Sequence, residues 1–139
     1  MSERIRIVGY FKIQVANKSG EGARILEALR RGRVNLLAFT GFPRGRRAQI
    51  DFIPEDASAF KAAAKRAGLK LGPEKRGFLA QGEDRIGAIA DIMARLAAAK
   101  INVTAIDAVC GGGGRYGAIF WVKPPDVAKA ARVLGASEF

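Results

Sequence analysis

The sequence predicts an α+β fold made of two tandem β-α-β-β-α-β units, whose antiparallel sheets carry their helices on one face. The main observation is an internal repeat. Residues 16–36 and 81–103 share one pattern, in which a strand end, a turn and an amphipathic helix lead into a second strand. A shift of 67 residues aligns Gly20 with Gly87, the glycines of the two turns. The 139 residues therefore form two units of about 65 residues, a size at which one core is marginal.

In the first unit, residues 1–72, alternating apolar residues predict the strands, and apolar residues three and four positions apart predict the helices. Residues 5–8 either extend the first strand or add an edge strand. The predicted elements are a strand over 10–16, a helix over 21–31, strands over 35–42 and 48–53, a helix from Pro54 and a short strand over 69–71.

Turn and cap residues set the limits of these elements. Asn17 or Ser19 is expected to cap the first helix, because short polar side chains accept hydrogen bonds from the first helical N–H groups. Gly32 and Gly68 are expected to end the two helices. The sequence Gly-Phe-Pro-Arg-Gly at residues 41–45 predicts the hairpin turn between the second and third strands.

The second unit is residues 73–139, and the linker between the units is predicted at residues 72–75. Its first helix is expected to bury Ile89, Ile92, Met93 and Leu96. The predicted elements are a strand over 77–81, a helix over 87–99, strands over 102–110 and 115–123, and a helix over 125–134. Its fourth strand is therefore short, missing or supplied from elsewhere. The element order of both units is that of the ferredoxin-like motif.

Composition limits the compartment and the possible chemistry. Hydrophobic residues make up 49% of the chain, yet no apolar run reaches the roughly 20 residues of a membrane span. The first residues lack the apolar core of a signal peptide. The single cysteine, Cys110, has no partner for an internal disulfide. We therefore expect a cytoplasmic protein without a membrane partner.

The absence of histidine removes the usual general base and the commonest metal ligand. With one thiol and no histidine, neither a zinc site nor a nucleophilic triad can be assembled. We therefore expect a protein that is not an enzyme and that needs no metal and no cofactor.

The net charge is +11, and the excess is larger in the first unit. Such a surface can attract nucleic acid, anionic lipid or acidic metabolites. The simpler interpretation is a solvated surface without a charged partner. The densest clusters are Arg30, Arg31 and Arg33, and Arg44, Arg46 and Arg47.

The two turns and the strands that follow the first helices resemble the ACT domain, a regulatory module that binds small ligands, mostly amino acids. Residues 84–87 read Asp-Arg-Ile-Gly and residues 101–103 read Ile-Asn-Val, although Ile86 stands where the family often has proline. Residues 17–20 and 34–36 match more loosely. The resemblance covers nearly the whole chain and implies a stand-alone tandem pair.

In ACT domains that bind amino acids, the ligand commonly sits between two units and contacts this turn and this asparagine. The N–H groups at a helix N-terminus favour an anion there. By resemblance, the ligand-binding residues are Asn17, Ser19, Gly20 and Asn35 in the first unit and Asp84, Arg85, Gly87 and Asn102 in the second. The structural alternative is that they cap helices and satisfy strand ends. The first unit is favoured, because the carboxylate of Asp84 repels an anion.

Two further features have simpler interpretations. The glycine-rich residues 111–117 lie between two predicted strands and lack the Gly-Lys-Ser/Thr ending of a phosphate loop, so a flexible hairpin is favoured. Cys110 beside them is interpreted as a small hydrophobic residue of an edge strand, because the sequence offers no resolving thiol.

The sequence therefore predicts a regulatory sensor that binds an amino acid at unit or subunit interfaces, within a homodimer. One alternative is an RNA-recognition module, since residues 115–121 partly resemble the aromatic third strand of that fold. However, Phe120 and Trp121 point to opposite faces of a strand, and Ala118 stands where a stacking ring belongs. Another alternative is a regulatory subunit of a separately encoded enzyme of amino-acid metabolism.

Overall fold

The computed structural model describes residues 3–138 and groups them into two compact units. The first unit is Gly9–Lys75, and the second joins the segment that begins at Arg76 to the short segment that ends at Val8. Each unit has its own core and two α-helices, so the predicted α+β class and the pair of ferredoxin-like units are confirmed.

The sheet of the first unit has strand order β2-β3-β1, with β3 antiparallel to both neighbours. Apolar residues of both helices pack against one face of this sheet, where the rings of Phe11 and Phe60 stack at 4.9 Å between centroids. The elements are β1 Arg4–Ala16, α1 Glu21–Arg31, β2 Leu36–Arg44, β3 Arg47–Pro54 and α2 Ala57–Arg66.

The second unit has strand order β1-β4-β6-β5, and β7 pairs with β1 in parallel. Phe78 and Phe120 are fully buried in its core and stack with 5.2 Å between ring centroids. The elements are β4 Lys75–Glu83, α3 Ala88–Ala98, β5 Val103–Gly112, β6 Arg115–Val122, a 3-10 turn Pro124–Asp126, α4 Val127–Leu134 and β7 Ser137–Glu138.

Strand β1 belongs to both units. Its carboxyl-terminal half pairs with β3, whereas Ile5 and Ile7 of its amino-terminal half lie in the core of the second unit. There Arg6 Nη2 donates a hydrogen bond to Gln81 Oε1 at 3.1 Å. Residues 5–8 thus extend the first strand, and the place of a fourth strand in the second unit is filled by β1 and the short β7.

The internal repeat is visible in the backbone. Gly20 and Gly87 immediately precede α1 and α3, with φ of 88° and 81°. Arg33 and Lys100 follow the same two helices and are the two described non-glycine residues with positive φ, at 57° and 60°. Such a conformation is costly for a side chain that carries a Cβ. Its recurrence 67 residues later supports a duplication.

Several predicted boundaries were wrong near helix starts. The residue before α1 is Gly20, and neither Asn17 nor Ser19 makes a side-chain cap. Helix α2 begins at Ala57, not at Pro54, because Asp56 accepts hydrogen bonds from the N–H groups of Ser58 and Ala59 at 2.9 and 3.2 Å. An aspartate cap satisfies two of the first-turn donors, which proline at the strand end cannot do.

The remaining corrections concern strands and burial. Strand β2 runs on to Arg44, so the hairpin turn lies at residues 45–46; Pro43 is tolerated because β2 is an edge strand. Residues 69–71 form no strand, although Leu69 and Leu71 pack against the core. Met93 is 37% exposed, and so is not the core residue that its spacing predicted.

Gly32 ends α1 as predicted, but not through a left-handed conformation, since its φ is −82°. A Cβ placed on Gly32 would stand 2.6 Å from Ala63 Cβ of α2 and 3.1 Å from Arg66 Nη2. The missing side chain therefore allows the close approach of α1 and α2.

Candidate functional site

A cavity of about 300 Å³ lies in the second unit, where the turn between β4 and α3 faces the end of β5. The turn and the first helical residues form one wall, and strands β5 and β6 form the other. The lining residues are Asp84, Arg85, Gly87, Ala88, Ile89, Ala90, Ala108, Val109, Cys110 and Tyr116.

The turn that borders the cavity is held by backbone hydrogen bonds. The N–H of Asp84 donates to the carbonyl of Gly114 at 2.9 Å, and the N–H of Ala88 donates to the carbonyl of Arg85 at 3.3 Å. Helix α3 then starts after Gly87 without a side-chain cap. The next two N–H groups of α3, those of Ile89 and Ala90, have no carbonyl one turn earlier in the helix to accept them, so they are available to a ligand.

The polar and charged side chains of the cavity differ in their hydrogen-bond partners. Arg85 Nη2 lies 2.6 Å from Asp91 Oδ2, and this hydrogen bond raises the pKa of the guanidinium. The thiol of Cys110 hydrogen-bonds to Asp84, which raises the pKa of the thiol above its ordinary value; burial and the negative charge of Asp84 act in the same direction. Cys110 is therefore a protonated donor on the cavity wall.

Tyr116 is the least exposed polar residue of the lining, with 6% of its surface accessible to solvent. Its hydroxyl donates to Glu3 Oε2 at 2.6 Å, and Arg95 Nη2 donates to the other oxygen of Glu3 at 2.9 Å. Burial is the main cause that raises the pKa of Tyr116, followed by the hydrogen bond to Glu3 and its negative charge. The phenol is therefore a neutral, fixed part of the wall.

The structure brings three of the four residues predicted in the second unit to the cavity, namely Asp84, Arg85 and Gly87. Asn102 is not among them. It precedes β5 at the level of Val122, whereas the turn follows β4 at the level of Arg115, the other end of the eight-residue β6. An eight-residue strand separates its two ends by about 24 Å.

The four residues predicted in the first unit are divided in the same way. Asn17, Ser19 and Gly20 lie in the exposed turn after β1. Asn35 lies beyond the opposite end of β3, where its Nδ2 donates to Glu55 Oε2 at 3.4 Å and its carbonyl accepts the N–H of Glu55 at 2.9 Å. Asn35 therefore lies away from the turn at Asn17, Ser19 and Gly20, just as Asn102 lies away from the turn of the second unit.

The opposite wall was not predicted as a ligand site. Ala108 and Cys110 are paired with Ala118 and Tyr116 across β5 and β6, so they share a face of the sheet. Because the two residues are two positions apart on a strand, the sequence alone predicts that they share a face. The sequence does not show that this face lies beside a turn more than 20 residues earlier.

The alternative interpretations can be compared with the structure. Gly113 and Gly114 form a tight hairpin turn between β5 and β6 with φ of 65° and 72°, as predicted, and no helix follows it. Phe120 and Trp121 are 0% and 6% exposed. Together with the buried Tyr116, they leave no exposed stacking platform on β6 in the described structure.

Residues 3–138 contain no helix long and apolar enough to cross a membrane. Within the same range, no group of three or more cysteine, aspartate or glutamate side chains is arranged to hold a metal ion.

No protein-family profile matches the sequence, and no curated protein matches it. Solved structures do match. BT0572 from Bacteroides thetaiotaomicron has a TM-score of 0.82 at 17% identity, over 94% of this chain and 88% of that one. The ligand-free regulatory subunit of aspartate kinase from Thermus thermophilus has a TM-score of 0.62 at 14% identity, over 97% and 95%.

A third similar structure is aspartate kinase from Clostridium acetobutylicum, with a TM-score of 0.56 at 15% identity, over 95% of this chain and 33% of that one. At these identities the likeness concerns the fold. The fold of this chain is therefore that of a tandem pair of ACT-like units, as the sequence predicts.

Proposed function

We propose that this chain is a non-catalytic regulatory protein that senses an amino acid, bound in the cavity beside the β4-α3 turn. The observation that carries the proposal is the composition of that cavity. Free helical N–H groups at the start of α3 meet a polar and apolar wall in about 300 Å³. The likeness in fold to a regulatory subunit of aspartate kinase supports a regulatory role.

The mode of action proposed is a shift between conformations. A ligand changes a population only if it binds one arrangement better than another. Tyr116 lines the cavity and is bonded to Glu3, which immediately precedes β1, the strand that enters both units. Occupation of the cavity therefore acts on a strand that the first unit also uses.

Thermal unfolding tests the binding proposal. Each of the twenty amino acids is added to the full chain, and at least one should raise the melting temperature with a dependence on its concentration. Ala108→Phe, which fills the cavity, should abolish this rise. Ala105→Phe is the matched control, because Ala105 is an exposed residue of the same strand that does not line the cavity.

The result that contradicts the proposal is equally specific. If no amino acid raises the melting temperature, while a single-stranded RNA binds with an affinity that falls steeply with salt, the RNA-binding alternative is correct. If an amino acid stabilises Ala108→Phe as well as the unchanged protein, the ligand binds elsewhere, and the turn at Asn17, Ser19 and Gly20 becomes the site to mutate.

We also propose a homodimer joined through β5. This strand lies at the edge of the sheet in its unit, and Val109 on it is 69% exposed. Asp107 is its one charged residue among ten. An edge strand with so few charged residues readily pairs with another chain. Sedimentation should give a dimer for the unchanged protein and a monomer for Val109→Lys; a monomer in both cases contradicts this pairing.

The separately encoded partner is a distinct part of the proposal. Affinity purification of the full chain from its native cells, with and without the amino acid that stabilises it, should recover an enzyme of amino-acid metabolism. If no such enzyme is recovered in either condition, the proposal of an enzyme partner is wrong. The proposal of ligand binding is then tested by the thermal unfolding experiment alone.

A further inference from the structure

We propose that the hairpin between β2 and β3 binds the phosphate backbone of a single-stranded nucleic acid, and that Phe42 beside it stacks on a base. This activity belongs to the first unit and does not depend on the amino-acid cavity. We call the surface the basic hairpin. Its residues are exposed and lie at one end of the sheet of the first unit; they are Lys18, Phe42, Arg44, Arg46 and Arg47.

Strand pairing concentrates positive charge at this end of the sheet. Arg44 and Arg47 are directly opposite each other on β2 and β3, and Arg46 lies in the turn between them. Like charges in such a cross-strand pair repel. On its other side Arg47 is paired with Ala16 of β1, so the exposed turn that contains Lys18 begins beside it. A bound polyanion would relieve the repulsion among these cations.

The arginines of the basic hairpin are held by neutral acceptors. Arg44 Nη1 donates to Gln49 Oε1 at 2.9 Å, and Arg47 Nη2 donates to the carbonyl of Gln14 at 3.1 Å. Within residues 3–138 neither guanidinium forms an ion pair. A guanidinium has five N–H donors, and these bonds leave most of them available to phosphate oxygens. The two groups are therefore positioned by the fold without being neutralised.

The carboxylates closest to this surface are already engaged. Glu21 follows Lys18 in the chain, but its Oε1 lies 2.6 Å from Arg24 Nε. Asp51 accepts hydrogen bonds from Gln49 Nε2 at 3.2 and 3.4 Å and is 7% exposed. Neither side chain is free to neutralise the basic hairpin. The positive charge of the hairpin therefore faces the solvent.

An exposed aromatic ring lies among these cations. Phe42 is 42% exposed and is paired with Gln49, so its ring shares a face of the sheet with Arg44, two residues later on β2. Phe39 of the same strand points to the other face, where its ring stacks on Phe52 with 6.1 Å between centroids. Proteins that bind single strands combine cations along the backbone with rings on which unpaired bases stack.

The same surface fits a membrane less well. Arginines are attracted to anionic lipid, but a protein that lies in the membrane interface buries a broad apolar face there. On its face of β2, Phe42 stands between Thr40 and Arg44, two polar residues. One ring between polar neighbours suits a single base better than a layer of acyl chains.

Fluorescence anisotropy with the full chain tests the proposal. The probe is a labelled oligo-dT of about 12 nucleotides, a length within the range of known single-strand sites. Four phosphate contacts, one for each cation, predict a slope of about −3 for log K against log salt, since each contact on a single strand contributes about −0.7. An abasic oligomer of equal length and a duplex should bind about 5- to 100-fold more weakly, and phosphatidylserine vesicles should not compete.

Variants separate the ring from the charge. Phe42→Ala should weaken binding of oligo-dT about 5- to 100-fold and leave the salt slope unchanged. Phe39→Ala is the matched control, because Phe39 is 48% exposed on the opposite face of the same strand. It should leave the affinity unchanged. Phe42→Leu keeps an apolar side chain at this position but removes the ring, and should behave like Phe42→Ala.

Arg46→Ala tests the phosphate contacts, because Arg46 is an exposed turn residue outside the strands. It should reduce the steepness of the salt slope by about 0.7. Arg30→Ala is the matched control: it removes the same charge from the same unit, but Arg30 is already paired with Glu27. It should leave the slope unchanged. Thermal unfolding confirms that each variant is folded.

The inference is overturned if oligo-dT does not bind, or if the abasic oligomer or the duplex binds as tightly. It is also overturned if vesicles compete, or if each control variant loses as much as its partner, because net charge alone would then explain the binding. None of these results concerns the second unit, so the proposed sensing of an amino acid stands or fails by its own thermal unfolding experiment.

Discussion

The hydroxyl of Tyr116 donates a hydrogen bond of 2.6 Å to Glu3, two residues that stand 113 positions apart in the chain. Glu3 is also held by Arg95 of α3, so one carboxylate joins β6, α3 and the segment that precedes β1. Because Tyr116 lines the cavity, the wall of the candidate site depends on the beginning of the chain.

Removal of this hydroxyl should destabilise the protein modestly. We expect Tyr116→Phe to lower the free energy of unfolding by about 1 kcal/mol, because Glu3 is partly exposed and keeps its contact with Arg95. Urea unfolding measures the change. A cycle with Glu3→Gln isolates the pair. Equal stability of Tyr116→Phe and the unchanged protein would contradict the contact.

The same contact predicts a dependence on pH. Burial and the hydrogen bond to Glu3 raise the pKa of Tyr116 in the folded state, whereas an unfolded tyrosine ionises near pH 10. The stabilisation is therefore complete below about pH 10 and is lost as the pH rises further, because only the unfolded chain then releases the proton. Stability curves measured up to pH 11 should fall less steeply for Tyr116→Phe.

The thiol of Cys110 gives a separate prediction. The hydrogen bond to Asp84 raises the pKa of Cys110, and only the thiolate reacts with disulfide reagents. Asp84→Ala should therefore increase the reaction rate at neutral pH by lowering that pKa. A bound amino acid should slow the reaction in the unchanged protein, because Cys110 lines the cavity. Identical rates in all three samples would contradict both statements.

Helix packing in the first unit can be tested with two glycines of the same region. Gly32→Ala should cost about 1–3 kcal/mol, because its Cβ would stand 2.6 Å from Ala63 Cβ. Gly22→Ala lies inside α1 with nothing within 4 Å, and should stabilise the protein by about 0.5–1 kcal/mol. Thermal unfolding of both variants measures the two changes in stability. Changes of the same sign would show that the contact with α2 is not the cause.

The division of β1 between two cores can be measured with Trp121, the single tryptophan, which lies in the second unit. Ile7→Ala should shift the unfolding transition seen by its fluorescence, with a loss of about 2–5 kcal/mol. Ile13→Ala, a buried residue of the same strand in the core of the first unit, is the control. If Trp121 responds to Ile13→Ala and not to Ile7→Ala, the assignment of the two halves is wrong.

This experiment also bears on the predicted domains, residues 1–72 and 73–139. That division stays a prediction. It places residues 5–8 in the first domain, whereas the structure groups the segment that ends at Val8 with the unit that begins at Arg76. A fragment of residues 73–139 alone lacks Ile5 and Ile7, and we expect it to fold only when a peptide of the first residues is added.

Local patterns were sufficient to predict the element order, apart from the strand expected over residues 69–71. Each of these signals involves only residues that are close in sequence. They are the turn glycines at 20 and 87, the helical spacing after each, and the hairpin glycines at 113 and 114. Two of the errors arose where two local signals compete. Asp56 caps α2 although Pro54 is a good helix starter, and Pro43 continues β2 although it is a good turn residue.

The candidate site could be predicted only in part. The turn at Asp84, Arg85 and Gly87 is continuous in sequence, whereas Ala108 and Tyr116 reach it through strand pairing. The connection of two parallel strands through a helix also explains the position of Asn102. Such a helix returns the chain to the starting end of the sheet, so the second strand begins far from the first turn.

The shared strand β1 has a consequence for the history of the chain. A duplicated unit can usually be separated again by a break in the linker, but here the second unit keeps Ile5 and Ile7 at its core while the linker lies at residues 72–75. A gene cut at the linker leaves one product without part of its core. The two copies are therefore expected to be inherited together, and a mutation in β1 affects both of them.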